Sequence, residues 1–169
     1  MAGTISQSVP TDDHLLILWV PAIANINAPK LTELAAAGVK DVTYYFTADG
    51  WVPGGDQATV TDDRLTHPQT FEQPGKITNS LDITYVINPA DPTNDVARLA
   101  FATNAIGFFV ARPAVPHDQV KAVGDFVEVW PAKFGKSRRV QAAANDTWKN
   151  TQKVFITGPV SDDLVALVA

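Results

Sequence analysis

Runs of apolar and β-branched residues, separated by proline and glycine, form the main pattern of this chain. The first run, LLILWV at residues 15–20, ends at Pro21 and predicts a buried strand. The clearest strand is KITNSLDITYVI at residues 76–87, in which apolar and polar positions alternate. Its polar face includes Asp82 and Thr84, so we expect that face to lie away from the core.

Other segments of the chain show shorter signals of the same kind. Further strands are predicted at residues 39–47, 107–112, 126–132 and 149–157. One short helix is predicted to begin at Pro29 and to end before Gly38. A second is predicted to begin at Pro92, with Asp91 as its N-cap, and to continue to about Asn104.

These elements predict a mainly β fold. The chain has about six strands and one or two short helices, joined by proline-rich links, and it lacks the alternation of strand and helix that a parallel sheet needs. We therefore predict an antiparallel β-sandwich or open barrel with short flanking helices. Pro131 interrupts the run at 126–132 and predicts an edge strand or a bulge there.

Residues 48–75 lack a long period and predict a long loop. The segment contains WVPGGD at 51–56, a turn signal, and a brief β-like run at 58–61. Loops of this length are uncommon in compact domains and are usually functional or disordered, so we expect an interaction loop. Trp51 is either an exposed anchor for a partner or a side chain that folds back over its own core.

Length and composition indicate a single domain without disulfide bonds or a membrane helix. The chain has 169 residues, which predicts one domain, residues 1–169, with an N-terminal arm (1–14) and a C-terminal tail (161–169). It has no cysteine, and no apolar run approaches the roughly 20 residues of a membrane helix.

Charge is distributed unevenly along the chain. Residues 1–100 have 5 basic and 12 acidic side chains, whereas residues 101–169 have 8 basic and 6 acidic ones. Such asymmetry suits either a self-complementary subunit or an unevenly charged solvated surface.

No group of residues has the spacing of a catalytic or metal site. The His117–Asp118 dipeptide is isolated, and surface polarity is its favoured explanation. The adjacent carboxylates Asp62–Asp63 and Asp162–Asp163 point to opposite faces of a strand, so a solvated or inter-subunit patch is favoured over calcium binding. We expect no enzyme activity, no metal and no cofactor.

A basic cluster follows the strand predicted at residues 126–132. It consists of Lys133, Lys136, Arg138 and Arg139. Nucleic-acid contact is one interpretation of such a cluster. A subunit contact or a solvated turn is favoured, because no aromatic RNA-binding signature accompanies it.

Several segments together resemble the major tail proteins of siphoviruses, the long-tailed bacteriophages, especially those that infect actinobacteria. The segments are PAIANINAPKLTEL (21–34), YFTADGWVPGGDQATVTDDRL (45–65), TFEQPGKITNSLDITYVINP (70–89), VEVWPAKFG (127–135) and KVFITGPV (153–160). The resemblance covers residues 15–160. It implies a tail-tube fold, a β-sandwich with a flanking helix, without catalytic function.

The resemblance also implies how the protein works. Such subunits form six-fold rings that stack into a hollow tube around a tape-measure protein, with tail terminator and distal tail proteins as further partners, and viral DNA later passes through the lumen. The expected location is the virion tail, after assembly in the host cytoplasm, without a membrane. The candidate contact residues between subunits or rings are Trp51, Val52, Pro53, Gly54, Gly55, Asp56, Asp62, Asp63 and Arg64. The candidate lumen residues are Asp82 and Thr84, on a face expected to be net acidic.

Other functions remain open at this point. One is a different virion or injection-machine component, such as a tail terminator or the inner tube of a contractile system. Another is a carbohydrate-binding β-sandwich that uses Trp51 as a sugar platform.

Overall fold

The strands of the chain belong to one antiparallel sheet. The computed structural model describes residues 7–161 and 163–169, and in this part of the chain there are nine strands, two short α-helices and one 3-10 turn. The strands are β1 (Leu15–Val20), β2 (Lys40–Asp41), β3 (Phe46–Asp62), β4 (Phe71–Val86), β5 (Ile106–Pro113), β6 (Phe126–Phe134), β7 (Arg138–Arg139), β8 (Lys149–Ile156) and β9 (Val165–Ala166). The helices are α1 (Leu31–Leu34) and α2 (Val96–Ala100), and the 3-10 turn is Thr43–Tyr45.

The sheet curls until its two ends approach each other. Its order is β2-β1-β5-β6-β8-β4-β3, with β7 added beside β8 and β9 beside β6. Strands β6, β8 and β4 separate β5 from β3 in this order, yet the Trp51 ring of β3 lies 5.2 Å from the Phe109 ring of β5. Phe46 of β3 also approaches Phe109, at 6.4 Å. The fold is therefore mainly β and open-barrel-like, as the sequence predicted.

Aromatic side chains fill the inside of the curl. Phe101, just after α2, lies 4.8 Å from Phe134 and 5.0 Å from Tyr85, measured between ring centroids. Trp19 of β1 lies 4.7 Å from Phe134 and 5.1 Å from Phe109. All five rings are buried, and tilted or edge-to-face pairs of this kind stabilise a core beyond simple burial.

A second apolar layer covers the other face of β1, β5 and β6. Leu16 and Leu18 of β1 pack in one cluster with Val110 of β5, Leu34 of α1 and Leu167 near the C-terminus. These three strands are thus buried on both faces, which explains why their sequences are almost continuous apolar runs. The prediction that residues 15–20 form a buried strand is confirmed.

Strands β4 and β8, in contrast, are covered on one face only. In β4 the apolar Leu81, Ile83 and Tyr85 are buried, whereas Asp82 is exposed and Thr84 is half-buried. In β8 the corresponding buried positions alternate with exposed ones in the same way. The predicted alternation is confirmed, and the uncovered side of β4 and β8, which we call the bare face, has no second layer.

The predicted strand at residues 39–47 is wrong in its centre. Thr43 begins the 3-10 turn, and its hydroxyl accepts a hydrogen bond from the Ile17 backbone N–H and donates one to the Ile17 carbonyl. The Thr43 backbone N–H donates to the Asp41 carboxylate. These local bonds replace a regular ladder and turn the chain from β2 into β3.

The second helix is shorter than predicted and has another cap. Asp95, and not Asp91, is the N-cap of α2, because its carboxylate accepts a hydrogen bond from the Arg98 backbone N–H at 3.1 Å. The same carboxylate accepts from the Asn88 backbone N–H at 2.9 Å, so it joins the end of β4 to the helix. Pro92 lies in the turn before the helix. Two competing caps only a few residues apart cannot be ranked from sequence alone.

The edge position predicted from Pro131 is also wrong. Strand β6 lies between β5 and β8, and Pro131 pairs with Phe108 of β5. The ladder to β8 begins one residue later, at Ala132, so Pro131 lies where that ladder ends. A residue without an N–H fits this boundary inside a central strand.

The predicted C-terminal tail, residues 161–169, forms part of the body where it is described. Val165 and Ala166 pair with β6 as β9, and Leu167 is 1% exposed. Val168 accepts a backbone hydrogen bond from Leu31 of α1 at 2.8 Å. Asp162 and the first part of the N-terminal arm, residues 1–6, lie outside the described residues.

Candidate assembly surface

A two-stranded ribbon projects from the curled sheet. Strands β3 and β4 pair from Phe46–Tyr85 to Asp62–Phe71, but β8 supports β4 only from Leu81 to Val86. Pro53 still pairs with Leu81, so residues 54–80, including the connecting segment 63–70, extend beyond the third strand, and we call them the ribbon. The ten residues 71–80 span about 33 Å at roughly 3.3 Å per residue.

The ribbon replaces the long loop predicted at residues 48–75. Only residues 63–70 connect the strands, and the supposed turn WVPGGD lies within β3, where Val52 pairs with Asp82 and Gly54 with Ser80. The loop prediction was wrong because a ribbon exposed on both faces needs no alternation of apolar and polar residues. Gly54 suits this pairing, since a Cβ there would lie 2.9 Å from the Ser80 hydroxyl.

Trp51 anchors the base of the ribbon and is not a freely exposed side chain. It is half-buried, and its ring packs edge-on against Phe46 at 5.8 Å and against Phe109 at 5.2 Å. Of the two interpretations left open by the sequence, folding back over the core is the one observed. The hypothesis that Trp51 is a sugar platform required an exposed ring, and the ring is instead packed against Phe46 and Phe109.

The rest of the ribbon exposes apolar side chains on an unsupported pair of strands. Four large apolar residues of the ribbon are at least 41% exposed: Val60, Leu65, Phe71 and Ile77. A two-stranded ribbon is only marginally stable alone in water, and its outer edges leave backbone groups available for pairing with another chain. The ribbon is thus the part of the described chain most suited to contact a partner.

Charged residues surround the tip of the ribbon. The Arg64 guanidinium donates to the Asp62 carboxylate at 2.9 Å, and this hydrogen bond raises the pKa of Arg64. Asp63 and Asp56 are exposed. The structure thus gathers the predicted contact residues in one element, with Trp51 at its base and Asp62, Asp63 and Arg64 at its tip.

The bare face contains both predicted lumen residues but is not simply acidic. Asp82 pairs with Lys153 of β8, and Thr84 pairs with Thr151. Lys133 of β6 lies farther along the same side. Cross-strand neighbours of opposite charge attract each other weakly, so the net acidic face expected from the sequence is wrong.

A buried arginine that the sequence analysis did not single out shapes the loop after β5. Arg112 is 1% exposed, and it donates to the Asp125 carboxylate at 2.7 Å and to the Pro116 and Gln119 carbonyls at 3.0 and 2.7 Å. Burial opposes ionisation of Asp125, but hydrogen bonds from the Ala122 N–H and from Arg112 outweigh it and lower its pKa. A lone arginine at the end of the apolar run GFFVAR was the available signal.

His117 fastens the N-terminal arm to the body. Its Nε2 lies 2.7 Å from the Tyr44 hydroxyl, and its backbone N–H donates to the Asp13 carbonyl at 2.8 Å. Among residues 7–161 and 163–169, no three His, Asp or Glu side chains come together as a metal site would require. No helix in these same ranges is long and apolar enough to cross a membrane.

A curled sheet with one bare face and an unsupported ribbon is the architecture of a subunit that associates with other chains. The sequence model of the phage tail tube protein family matches residues 2–169, so the chain belongs to that family and has a structural role in a phage tail.

Structural comparison agrees on the fold. A chain in the cryo-EM structure of the anti-feeding prophage (AFP) baseplate, 6-fold symmetrised, is similar with a TM-score of 0.53 and 10% sequence identity. The similarity covers 98% of this chain and 97% of the other. No curated protein matches the chain in sequence.

Proposed function

We propose that this chain is the repeating subunit of a hollow siphovirus tail tube, in which stacked six-membered rings enclose a lumen for viral DNA. The observation that supports this most is the ribbon, a long pair of strands with no second layer and free edges. A ribbon that reaches a different surface of the next copy makes a heterologous contact, and such contacts produce rings or filaments. The AFP baseplate chain with a similar fold comes from a six-fold assembly.

The bare face is our candidate for the lumen wall. It is the broad side of the sheet that neither α1 nor the C-terminal segment covers, since both pack on β1, β5 and β6. It combines threonine, aspartate and lysine with Arg138, which pairs with Thr151, and a single guanidinium is no array for base recognition, which suits a conduit for DNA. Tape-measure, tail terminator and distal tail proteins are the further proposed partners, and the host cytoplasm the proposed site of assembly.

The proposed activity is mechanical and not catalytic. The buried polar groups of the body hold backbone segments in place. Arg112 binds two carbonyls of its loop, Gln152 binds the Phe101 and Gly135 carbonyls, and Asp95 caps α2. Each of these side chains is thus engaged in positioning the chain.

Electron microscopy of two proteins tests the proposal. The first is the full chain, which we expect to form rings or tubes by negative stain, alone or with its tail partners. In the second, residues 56–78 are replaced by Asn-Gly, a two-residue turn that joins the paired Gly55 and Asn79. This ribbon-shortened chain keeps Trp51 and the whole core, so we expect a cooperative thermal unfolding transition and no tubes. A full chain that stays monomeric under all these conditions contradicts the proposal, as do tubes formed equally by the shortened chain.

A second candidate function has one observation in its favour. The similarity to the AFP baseplate chain favours a tube component near a baseplate, present in few copies, over the main tube. Copy number distinguishes a main tube subunit from a component near the baseplate. The main tube subunit is present in every stacked ring and is therefore the more abundant of the two. Quantitative mass spectrometry of intact particles measures this ratio.

A further inference from the structure

The end of the sheet farthest from the ribbon is basic and partly aromatic. Arg138, Arg139, Trp148 and Lys149 lie there, at β7 and at the start of β8, and Lys136 lies between β6 and β7, nearer to the ribbon. We call these five residues the basic patch. The cluster noted in the sequence thus contributes three of these residues. Lys133 lies on the bare face, and Arg138, which pairs with Thr151, faces the same side.

The ribbon and the basic patch lie at opposite ends of β4. The ribbon leaves the body where Leu81 pairs with Val154. At the other end, Val86 pairs with Lys149, and the Ile87 N–H donates to the Trp148 carbonyl at 2.9 Å. The supported part of β4 spans about 20 Å at roughly 3.3 Å per residue, so the ribbon is longer than the body strand that it extends.

The basic patch combines free positive charge with an exposed ring. Arg139 stacks over Trp148 with 5.5 Å between the guanidinium carbon and the ring centroid, and Trp148 is 49% exposed. The Lys149 ammonium forms an ion pair with the Asp146 carboxylate, with 2.8 Å between Nζ and Oδ1. Arg138 and Lys136 are exposed and form no ion pair within the described residues.

The ribbon has the complementary chemistry. Asp56, Asp63 and Glu72 are exposed and form no ion pair within the described part of the chain. Arg64 is neutralised by Asp62, and Glu72 follows the exposed Phe71 at the last pairs of the ribbon. Lys76 is also exposed in the ribbon, so four acidic and two basic side chains give residues 54–80 a formal charge of −2. A net acidic strand pair with apolar side chains thus lies at one end of the molecule, and a basic surface with an exposed tryptophan lies at the other.

We propose that the basic patch is the receptor for the ribbon of a second copy of this chain. This inference rests on the proposed function and names the surface that the ribbon contacts. Acidic groups of the ribbon neutralise Arg138, Arg139 and Lys136, while apolar ribbon side chains cover Trp148. The two surfaces differ and lie at opposite ends, so the contact repeats head to tail without closing on itself. DNA is the competing ligand for a basic patch, and the test includes it.

Two charge-reversed chains test the inference. In the patch-reversed chain Arg138→Glu and Arg139→Glu are combined, and in the ribbon-reversed chain Asp63→Lys and Glu72→Lys are combined. In a solution of one reversed chain alone, the ribbon and the patch have charges of the same sign and repel each other. We therefore expect the critical concentration for assembly to rise about tenfold or more, which corresponds to about 1.4 kcal/mol. Mixed in equal amounts they should co-assemble near the wild-type concentration, because each ribbon then meets a patch of opposite charge.

The net charge of the proteins provides an internal control. The formal charge of −5 becomes −9 in the patch-reversed chain and −1 in the ribbon-reversed chain, so both remain negative and overall attraction does not explain co-assembly. A Lys40→Glu, Lys121→Glu chain has the same charge as the patch-reversed chain with its basic patch intact. We expect this control to assemble at a lower concentration than the patch-reversed chain at equal ionic strength.

The outcomes separate this inference from the proposed function. If the wild-type chain does not assemble, the proposed function fails first. If the wild type assembles and either reversed chain assembles equally well, or the mixture fails to recover, the inference is wrong while the tube remains. It is also wrong if reversal of the patch abolishes DNA retention in a gel-shift assay and leaves assembly unchanged. Circular dichroism and thermal melting of each variant confirm that the fold is intact.

Discussion

Gln152 of β8 is the polar centre of the core, and its replacement by leucine should strongly destabilise the fold. The side chain is 2% exposed. Its Nε2 donates to the Phe101 carbonyl at 3.0 Å and to the Gly135 carbonyl at 2.7 Å, and its Oε1 accepts from the Tyr85 hydroxyl at 3.2 Å. One amide therefore joins the end of α2, the turn after β6 and the C-terminal end of β4.

The magnitude follows from the groups left without a partner. Leucine has nearly the volume of glutamine but no donor or acceptor, so two carbonyls would remain without their partner and the Tyr85 hydroxyl would lose one of its hydrogen bonds. Each such group costs about 1–3 kcal/mol, and the added apolar burial offsets part of the sum. We expect the free energy of unfolding to fall by about 3–5 kcal/mol, a large share of the roughly 5–15 kcal/mol typical of a domain.

Urea denaturation at a concentration where the chain is unassembled measures this change. With an m-value of about 2 kcal/mol/M, the midpoint for Gln152→Leu should fall by about 2 M. Tyr85→Phe removes one of the three bonds and should lower the midpoint by about 0.5 M. Thr84→Val on the bare face is the matched control, with an expected change within about 0.5 kcal/mol. The reasoning is refuted if Gln152→Leu and Thr84→Val unfold at the same urea concentration.

Three further predictions concern other parts of the body. Arg112→Met should cost about 3 kcal/mol, because it leaves the Asp125 carboxylate without its cation, and thermal melting should show a lower midpoint than for wild type. Gly107→Ala should cost about 1–3 kcal/mol, because a Cβ there would lie 2.6 Å from Trp19, and an unchanged melting midpoint would contradict this packing. Burial raises the pKa of the Tyr85 hydroxyl above its usual value of 10.0. The stability that the neutral hydroxyl contributes is therefore complete below pH 10 and is lost as the pH rises through the raised pKa. Tyr85→Phe should therefore lose less stability than the wild type in strong alkali. If the melting midpoints of the two proteins depend on pH in the same way above about pH 10, this explanation is wrong.

The sequence predicted those strands whose burial leaves a regular pattern. The continuous run of β1 and the alternation of β4 and β8 follow directly from burial on two faces or on one, and the structure confirms them. The ribbon could not be predicted in the same way. Its strands are exposed on both sides, so burial imposes no period on residues 52–62, and glycine and proline there resemble a turn.

Local hydrogen bonds account for the other differences. Thr43 interrupts an otherwise β-like segment because its hydroxyl meets the backbone of Ile17, a residue distant in sequence. Asp95 caps α2 because its carboxylate also reaches the Asn88 N–H. The basic surface at the opposite end of β4 emerges only when β7 is placed beside β8. Such effects depend on tertiary neighbours that a linear pattern does not reveal.

The unequal covering of the sheet gives each copy an inherent inside and outside. Helix α1 and the C-terminal segment shield β1, β5 and β6, whereas the bare face of β4 and β8 remains open. In the proposed tube, a reversed subunit would turn its shielded side toward the axis and interrupt the polar lining. If the bare face lines the proposed tube, the orientation of each subunit toward the axis is a consequence of how the monomer folds.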